Sequence, residues 1–258
     1  MARQRVALSP SLERPRPPSS TVERRKRATV IRVENLCVDQ GDFRLRNVSF
    51  EVPPGGYAVL MGRTGCGKTT VIESICGLRP ISQGAIWLAG RDVTRLHAAE
   101  RGIGYVPQDG ALFSTMRVRD QLAFALNVRR SPKTVVRQRV AELAELLAIE
   151  GILHRLPRDL SGGEKQRVAL GRALSFEPGV LLVDEPLSAL DDQTRQQMYG
   201  VLRRVREHTG ATTLHVTHNR EDATELADHL LQFSDGLIVE KSLETLRRPS
   251  ELGVSSEG

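Results

Sequence analysis

The chain has 258 residues, of which 40% are hydrophobic, and this is enough to bury a substantial core. Its three cysteines are odd in number and follow no metal-ligand spacing, which is typical of a protein from a reducing compartment. The sequence contains no apolar run of the roughly 18 residues that span a bilayer, nor a stretch resembling a signal peptide, so we expect any role at a membrane to depend on a partner.

The net charge of +6 is located almost entirely at the N-terminus. Residues 1–28 carry eight basic and two acidic side chains, whereas the rest of the chain carries 29 of each sign. Because this segment is polar and rich in proline, we predict a disordered basic tail over 1–28, either a solvated extension or a weak tether to anionic lipid. We expect no nucleic acid partner.

The first elements of the folded chain are strands. Residues 30–38 and 43–52 partly alternate apolar and polar side chains on either side of turn residues, which predicts an antiparallel hairpin. Residues 57–62 predict a buried strand that leads directly into the glycine-rich stretch 62–70 (GRTGCGKTT). A helix then ends near Gly77. These segments predict a hairpin followed by a strand, loop and helix unit.

The middle of the chain has a helical pattern. Val136, Val140, Leu143 and Leu147 recur at the spacing of one helix face, and we predict an inserted helical subdomain over about 109–175. Two further apolar strands, at 180–186 and 212–218, lie on either side of a helix predicted over roughly 191–208. This alternation predicts a core with parallel strands.

The glycine-rich stretch fits the pattern G-x-x-x-x-G-K-[ST] at Gly62, Gly67, Lys68 and Thr69. The glycines let successive N–H groups face phosphate oxygens, and Lys68 supplies a positive charge to the β- and γ-phosphates. The Thr69 hydroxyl can bind Mg²⁺. The position of this stretch between a strand and a helix predicts a phosphate-binding loop for ATP and Mg²⁺.

Two carboxylates lie near the end of the stretch 180–186 (VLLVDEP). Asp184 comes after four apolar residues, so we expect its carboxylate at the C-terminal edge of the sheet, near Mg²⁺. Glu185 is next and could orient or deprotonate an attacking water. Two acidic residues alone would more often be a solvated strand end, but the phosphate-binding loop upstream favours the catalytic interpretation.

A second helix start lies at 159–174 (DLSGGEKQRVALGRAL). Ser161 and Glu164 have the S-x-x-E spacing of a capping box. Gly162 and Gly163 leave the N–H groups of the first turn uncovered, which suits a γ-phosphate. The alternative to a phosphate site is an ordinary capped helix, which the S-x-x-E spacing by itself favours.

Together these motifs resemble those of the ATP-binding cassette (ABC) family over roughly residues 29–240. LSGGE at 160–164 is similar to the family's signature sequence, 62–70 to its Walker A loop and 180–186 to its Walker B strand. Gln108 stands at the place of the Q-loop, Asp191 ends the D-loop sequence SALD, and His218 matches the switch histidine. All occur in the family's order.

The resemblance implies two ATP molecules held between two copies, or between this chain and a related ABC ATPase. Glu185, His218 and Gln108 are then catalytic, and Thr69, Gln108 and Asp184 bind Mg²⁺. The residues that the resemblance implies for nucleotide binding are Gly62, Arg63, Thr64, Gly65, Cys66, Gly67, Lys68, Thr69, Thr70, Phe43, Ser161, Gly162, Gly163, Glu164 and Asp191.

Two of these assignments have alternatives that stay open. Gln40 stands where the family commonly has an aromatic that stacks on adenine, so Phe43 is a substitute; it is equally well a strand residue facing the core. Asp191 would lie across a dimer interface, and it is equally well a helix N-cap.

The resemblance implies an α/β fold: a P-loop NTPase core with a mostly parallel sheet, an antiparallel β subdomain and an inserted α-helical subdomain. We expect this nucleotide-binding domain over 29–245 and a loose tail over 246–258, with no room for the C-terminal regulatory domain of many relatives.

The implied function is that of the ATP-hydrolysing subunit that drives a separate transmembrane permease from the inner face of the cell membrane. Residues 41–52 and 55–69 look similar to those of molybdate and tungstate importers, which favours import of a small solute such as an oxyanion, with a substrate-binding protein as a further candidate partner. The alternative is a soluble ABC-type ATPase acting on nucleic acid or a complex, whose members carry long insertions or two cassettes.

Overall fold

The computed structural model describes residues 30–41, 43–234 and 236–247. Within these residues there are ten strands, which are β1 (Ile31–Gln40), β2 (Phe43–Val52), β3 (Tyr57–Gly62), β4 (Gln83–Leu88), β5 (Arg91–Asp92), β6 (Ile103–Val106), β7 (Val180–Asp184), β8 (Thr212–Thr217), β9 (His229–Ser234) and β10 (Leu237–Lys241). The same residues form seven α-helices, which are α1 (Lys68–Cys76), α2 (Val118–Val128), α3 (Lys133–Leu147), α4 (Gly162–Leu174), α5 (Asp192–Thr209), α6 (Arg220–Leu226) and α7 (Glu244–Arg247).

The strands form two sheets. One is antiparallel, in the order β2-β1-β4-β5, and it includes the predicted hairpin, whose pairing runs from Ile31 with Val52 to Gln40 with Phe43. The other has the order β10-β9-β3-β8-β7-β6, and every neighbouring pair except β10 with β9 is parallel. The expected combination of a mostly parallel sheet and an antiparallel one is therefore confirmed.

Strand β3 lies in the middle of the larger sheet and is buried on both faces. Tyr57 and Val59 belong to the core between the sheet and helices α2 to α6. Ala58 and Leu60 point to the opposite face, where they meet α1 and the antiparallel sheet. Because successive side chains of a strand alternate between faces, one continuous apolar run serves both cores. The loop after β3 thus follows a strand that is buried over five of its six residues.

Helices α2, α3 and α4 lie between β6 and β7, in the region predicted to be a helical insertion. The predicted apolar face of α3 is confirmed, since Val136, Leu143 and Leu147 are buried and Val140 is half-buried. The exact bounds of a subdomain at 109–175 stay a prediction. None of the helices in the described part of the chain is both long enough and apolar enough to cross a membrane.

Both predicted tails fall largely outside the described residues. Residues 1–28 lie outside entirely, so their disorder stays a prediction. At the other end, the predicted loose tail begins at 246, but Leu246 belongs to helix α7 and packs against the core. Only residues 248–258 of that tail lie beyond the described part.

A close approach of three helices generates a stability prediction. A Cβ added to Gly171 in α4 would lie 2.5 Å from Leu122 Cδ2 and 2.7 Å from Leu147 Cδ1, whereas one added to Gly200 in α5 meets nothing within 4 Å. Gly171→Ala should therefore lower the free energy of unfolding by about 1–3 kcal/mol through overpacking. Gly200→Ala should raise it by roughly 0.5–1 kcal/mol because alanine is the better helix former.

Urea unfolding of both variants and the wild type measures the difference. A Gly171→Ala chain as stable as the Gly200→Ala chain would contradict the tight packing of α4 on α2 and α3.

Candidate active site

A cavity of about 320 Å³ lies where four parallel strands of the larger sheet end. The loop after β3, Gln108 after β6, Glu185 after β7 and His218 after β8 all reach it, because the carboxyl ends of parallel strands meet at one edge. The cavity is lined by Gln40, Phe43, Thr64, Gly65, Gly67, Lys68, Thr69, Thr70, Gln108, Glu185 and His218. The structure thus brings together most of the predicted site residues.

The glycine-rich loop leaves helix α1 open at its N-terminus. Its N-cap, Gly67, has a left-handed backbone (φ 109°) and offers no side chain to cap the first turn. A Cβ at Gly67 would also lie 2.8 Å from the Phe43 ring, so only glycine fits. Lys68 donates from Nζ to the Gly62 and Arg63 carbonyl oxygens at 2.9 and 3.1 Å, which holds the ammonium beside the loop. Uncovered N–H groups and a fixed positive charge suit a phosphate.

Asp184 is almost completely buried at the end of β7, and its Oδ1 has no hydrogen-bond partner among the described residues. Burial raises the pKa of this carboxyl above its ordinary value, and the neighbouring Thr69 hydroxyl and Lys68 oppose the shift. A buried carboxylate oxygen without a partner is costly unless a cation or donor comes to it. The expected position of Asp184 at the sheet edge is confirmed.

Glu185 and His218 contact each other inside the cavity. His218 Nδ1 lies 2.7 Å from Glu185 Oε2 and 2.9 Å from Oε1. The Glu185 backbone has φ 48°, an unusual conformation for a residue with a side chain, and its N–H donates to the Val216 carbonyl at 2.9 Å. The Glu185 side chain is 12% exposed and that of His218 is 55% exposed. The carboxylate is therefore oriented by β8 and by the imidazole.

Gln108 lines the cavity, and its segment is attached to helix α4. The Gln166 side chain donates to the Gln108 carbonyl at 3.4 Å. Arg172 donates to the Gly110 and Ala111 carbonyls at 2.9 and 2.6 Å, and burial lowers the pKa of its guanidinium. Sequence reasoning missed Gln166 and Arg172, because nothing in their spacing indicates which distant carbonyl a long polar side chain reaches.

The rim of the cavity near β1 and β2 contains Phe43 and Gln40. Phe43 packs against Gly67 and is also a half-buried neighbour of the core, so both of its alternative roles are compatible with its position. Gln40 lines the cavity, and its Oε1 accepts a hydrogen bond from Arg79, which also donates to Glu73 at the end of α1. The sequence places Gln40 where the family commonly has a stacking aromatic, and its bond with Arg79 was not predicted.

The helix start at 159–174 forms a different surface. Ser161 Oγ accepts from the Glu164 N–H at 3.2 Å, and the Glu164 carboxylate accepts from the Ser161 N–H at 2.7 Å, so the predicted capping box is confirmed. The N–H groups of Gly162 and Gly163 precede the first bond within the helix; Gly162 is exposed, whereas Gly163 is buried. In the described part of the chain, none of residues 161–164 lines the cavity that holds the glycine-rich loop.

Asp191 lies beside this second surface. It caps helix α5, where Oδ1 accepts from the Thr194 N–H at 3.0 Å and Oδ2 from the Thr194 hydroxyl at 2.7 Å. A Cβ on Gly163 would lie only 2.5 Å from Thr194 Cγ2, so α4 and α5 meet closely at their N-termini. The predicted N-cap is confirmed, and a further contact of Asp191 across an interface stays a prediction.

Comparison with known proteins agrees with this geometry. The chain is 44% identical over 211 residues to the molybdate/tungstate import ATP-binding protein WtpC of Thermococcus kodakarensis, an alignment covering 82% of this chain and 64% of the relative. It is 43% identical over 209 residues to the sulfate/thiosulfate import ATP-binding protein CysA of Gloeobacter violaceus, covering 81% and 61%. The aligned part thus spans less than two thirds of either relative.

Solved structures with the same fold include a dimeric post-hydrolysis state of the ATP-binding cassette MJ0796 bound to ADP and Pi. It is 26% identical, has a TM-score of 0.73 and covers 83% of this chain and 98% of that one. The cbiO1 structure from Clostridium perfringens has a TM-score of 0.78 at 24% identity, covering 85% and 91%. The α/β fold expected from the sequence is therefore confirmed.

The family model described as ABC transporter matches residues 45–188, which is more than half of the chain and includes the glycine-rich loop, the helix start at 159–174, Asp184 and Glu185. The chain belongs to the ABC transporter family.

Proposed function

We propose that the chain is the ATP-binding and ATP-hydrolysing subunit of an ABC transporter. The observation that carries this proposal is the cavity in which the glycine-rich loop, Gln108, Glu185 and His218 meet at the carboxyl ends of four strands. Its volume of about 320 Å³ suits a small ligand, and Lys68 and the open first turn of α1 in its lining suit the phosphates of a nucleotide. The import ATP-binding relatives support the same conclusion.

In this proposal each residue has a distinct role. The open first turn of α1 and Lys68 bind the β- and γ-phosphates. Glu185 accepts a proton from the attacking water, whose oxygen bonds to the γ-phosphorus as the bond to the bridging oxygen breaks, giving ADP and phosphate. His218 orients the carboxylate through the 2.7 Å contact and faces the γ-phosphate. Phe43 packs against the base from the rim.

The residues also fit Mg²⁺. The Thr69 hydroxyl, the Gln108 amide and the Asp184 carboxylate would hold the ion, since Asp184 has a buried Oδ1 without a partner in the described residues and Mg²⁺ prefers oxygen donors. When bound, the ion neutralises charge on the phosphate oxygens. Burial raises the pKa of the Asp184 carboxyl in the free protein, and a bound ion would offset the cost of burying its charge.

We infer that each active site is shared between two chains. The phosphate loop and the N-terminus of α4 are both suited to anions, yet the cavity of one chain contains only the first. Ser161, Gly162 and Gly163 of a second copy, or of a related ABC ATPase, would close over the γ-phosphate from the other side. Glu164 would support this end through the capping box, and Asp191 would lie at the interface. The dimeric neighbour with ADP and Pi supports this arrangement.

The partner that turns hydrolysis into transport is a separate transmembrane permease. ATP binds the closed pair better than the open pair, so binding and hydrolysis alternately close and open it. The chain then lies at the inner face of the membrane through its permease, and the relatives favour import of an oxyanion such as molybdate or sulfate, delivered by a substrate-binding protein. Co-purification with the tagged full chain tests this: a retained integral membrane subunit is expected, and retention of ribosomes or DNA instead would contradict it.

The role of Glu185 leads to a kinetic prediction. Glu185→Gln should lower ATP turnover by about a hundredfold or more, because general-base catalysis is lost, while ATP binding is kept. The unhydrolysed ATP should then hold two chains together, which sedimentation in the presence of ATP and Mg²⁺ detects. Glu145→Gln, at an exposed position of α3, is the matched control and should behave as the wild type. Unchanged turnover in Glu185→Gln would remove this residue from the mechanism.

The shared site leads to a second prediction. Ser161→Arg places a long cation where the partner's γ-phosphate would lie, so hydrolysis should be abolished while nucleotide affinity of the single chain stays unchanged. Ser161→Ala is the control: it removes the helix cap, which by itself costs about 1 kcal/mol of stability, without adding a cation. ATP turnover and nucleotide titration at low protein concentration give the two readouts. Wild-type turnover in Ser161→Arg would show that the N-terminus of α4 is not part of the active site.

A further inference from the structure

A buried polar cluster lies behind His218, between β8, α5 and α6. At its centre is Asp222, which is 2% exposed. The Tyr199 hydroxyl donates to its Oδ1 and the Thr217 hydroxyl to its Oδ2, both at 2.7 Å. Burial lowers the pKa of the neighbouring His215 to about 4, so this ring is neutral at neutral pH. The two hydroxyls are therefore the groups that hold the carboxylate.

Thr217 connects this cluster to the active site. Its hydroxyl oxygen accepts a hydrogen bond from the Asn219 N–H at 3.0 Å while its proton is donated to Asp222. The bond from Asn219 closes a short turn in which His218 is the central residue, and the bond to Asp222 ties this turn to α6. The Thr217 hydroxyl has a single proton, which it donates to Asp222. This orients the lone pairs of the hydroxyl oxygen, which accept the hydrogen bond from the Asn219 N–H. The backbone on both sides of His218 is thereby set from the protein interior.

The two ends of this connection differ in burial. Thr217 is 1% exposed, whereas the His218 side chain is 55% exposed and contacts Glu185. An exposed imidazole keeps one orientation only if its backbone is fixed, and the buried charge-assisted bond to Asp222 provides this. Tyr199, by contrast, bonds the other carboxylate oxygen and attaches α6 to α5.

We propose that Asp222 is a positioning residue for His218, acting through the Thr217 hydroxyl. The inference rests on the proposed ATPase function, within which His218 orients Glu185. Asp222 itself touches neither the cavity nor the nucleotide that would occupy it. Loss of the Thr217 hydroxyl should therefore change the rate of hydrolysis without changing how tightly ATP binds.

The test compares three variants of the full chain. Thr217→Val keeps the shape of the side chain and removes both hydrogen bonds; it should lower kcat about tenfold, with KM changed by no more than about twofold. Thr217→Ser restores the hydroxyl and should keep kcat within about threefold of the wild type. Tyr199→Phe removes the other bond to Asp222 and should lower the melting temperature while leaving kcat unchanged.

A second readout does not depend on hydrolysis. Nuclear magnetic resonance of the nucleotide-free chain resolves imidazole signals from its six histidines, and His218→Ala identifies the signal of His218. Thr217→Val should shift that signal, and Tyr199→Phe should not. Where Thr217→Val does not fold, Asp222→Asn removes the charge at the same bond and carries the same expectation for both readouts.

Each result has a definite consequence. Equal kcat in Thr217→Val and the wild type, or an equal loss of kcat in Thr217→Val and Tyr199→Phe, would overturn the positioning role. If the wild-type chain hydrolyses no ATP, the proposed function fails instead, and the His218 signal still decides whether Thr217 fixes the ring.

Discussion

A backbone N–H that binds a phosphate must be left unpaired by the protein, and this constraint determines the design of the site. Helix α1 meets it with Gly67, whose left-handed backbone starts the helix without a capping side chain. The strand that leads into the loop, β3, is buried on both faces and hydrogen-bonded on both edges, to β8 and β9. A loop with few internal hydrogen bonds can then keep its position because the strand before it is held on both edges.

The same sheet edge supplies the groups that act on the bound phosphate. Each of β6, β7 and β8 ends close to at least one functional side chain, and parallel pairing brings the three ends to one place. Unfavourable local features accumulate there: the positive φ of Glu185 and the buried Oδ1 of Asp184, which has no partner among the described residues. A cation would relieve the cost at Asp184, whereas the backbone cost at Glu185 is borne by the surrounding fold.

Local sequence motifs predicted the parts of the site that depend on backbone chemistry. The glycine loop, the Ser161 capping box and the Asp191 N-cap are encoded within a few residues, and all three are found in the structure. The apolar face of α3 and the first hairpin were predictable for the same reason. The short or exposed strands β4, β5, β6, β9 and β10 were not predicted, because brief apolar runs carry little periodicity. Contacts such as Arg172 with the 108–111 segment, or Asp222 with Thr217, depend on tertiary packing, which residue type and spacing do not specify.

The central claim is that two chains each contribute half of an active site, and mixing two inactive variants tests it most directly. Lys68→Ala removes the charge that would bind phosphate and leaves the N-terminus of α4 intact. Ser161→Arg obstructs the N-terminus of α4 and leaves Lys68 intact. The account predicts that each variant is inactive alone and that ATP turnover reappears when the two are combined, because a mixed pair contains one site with both halves intact. Turnover by either variant alone, or a mixture that forms pairs and stays inactive, would contradict it.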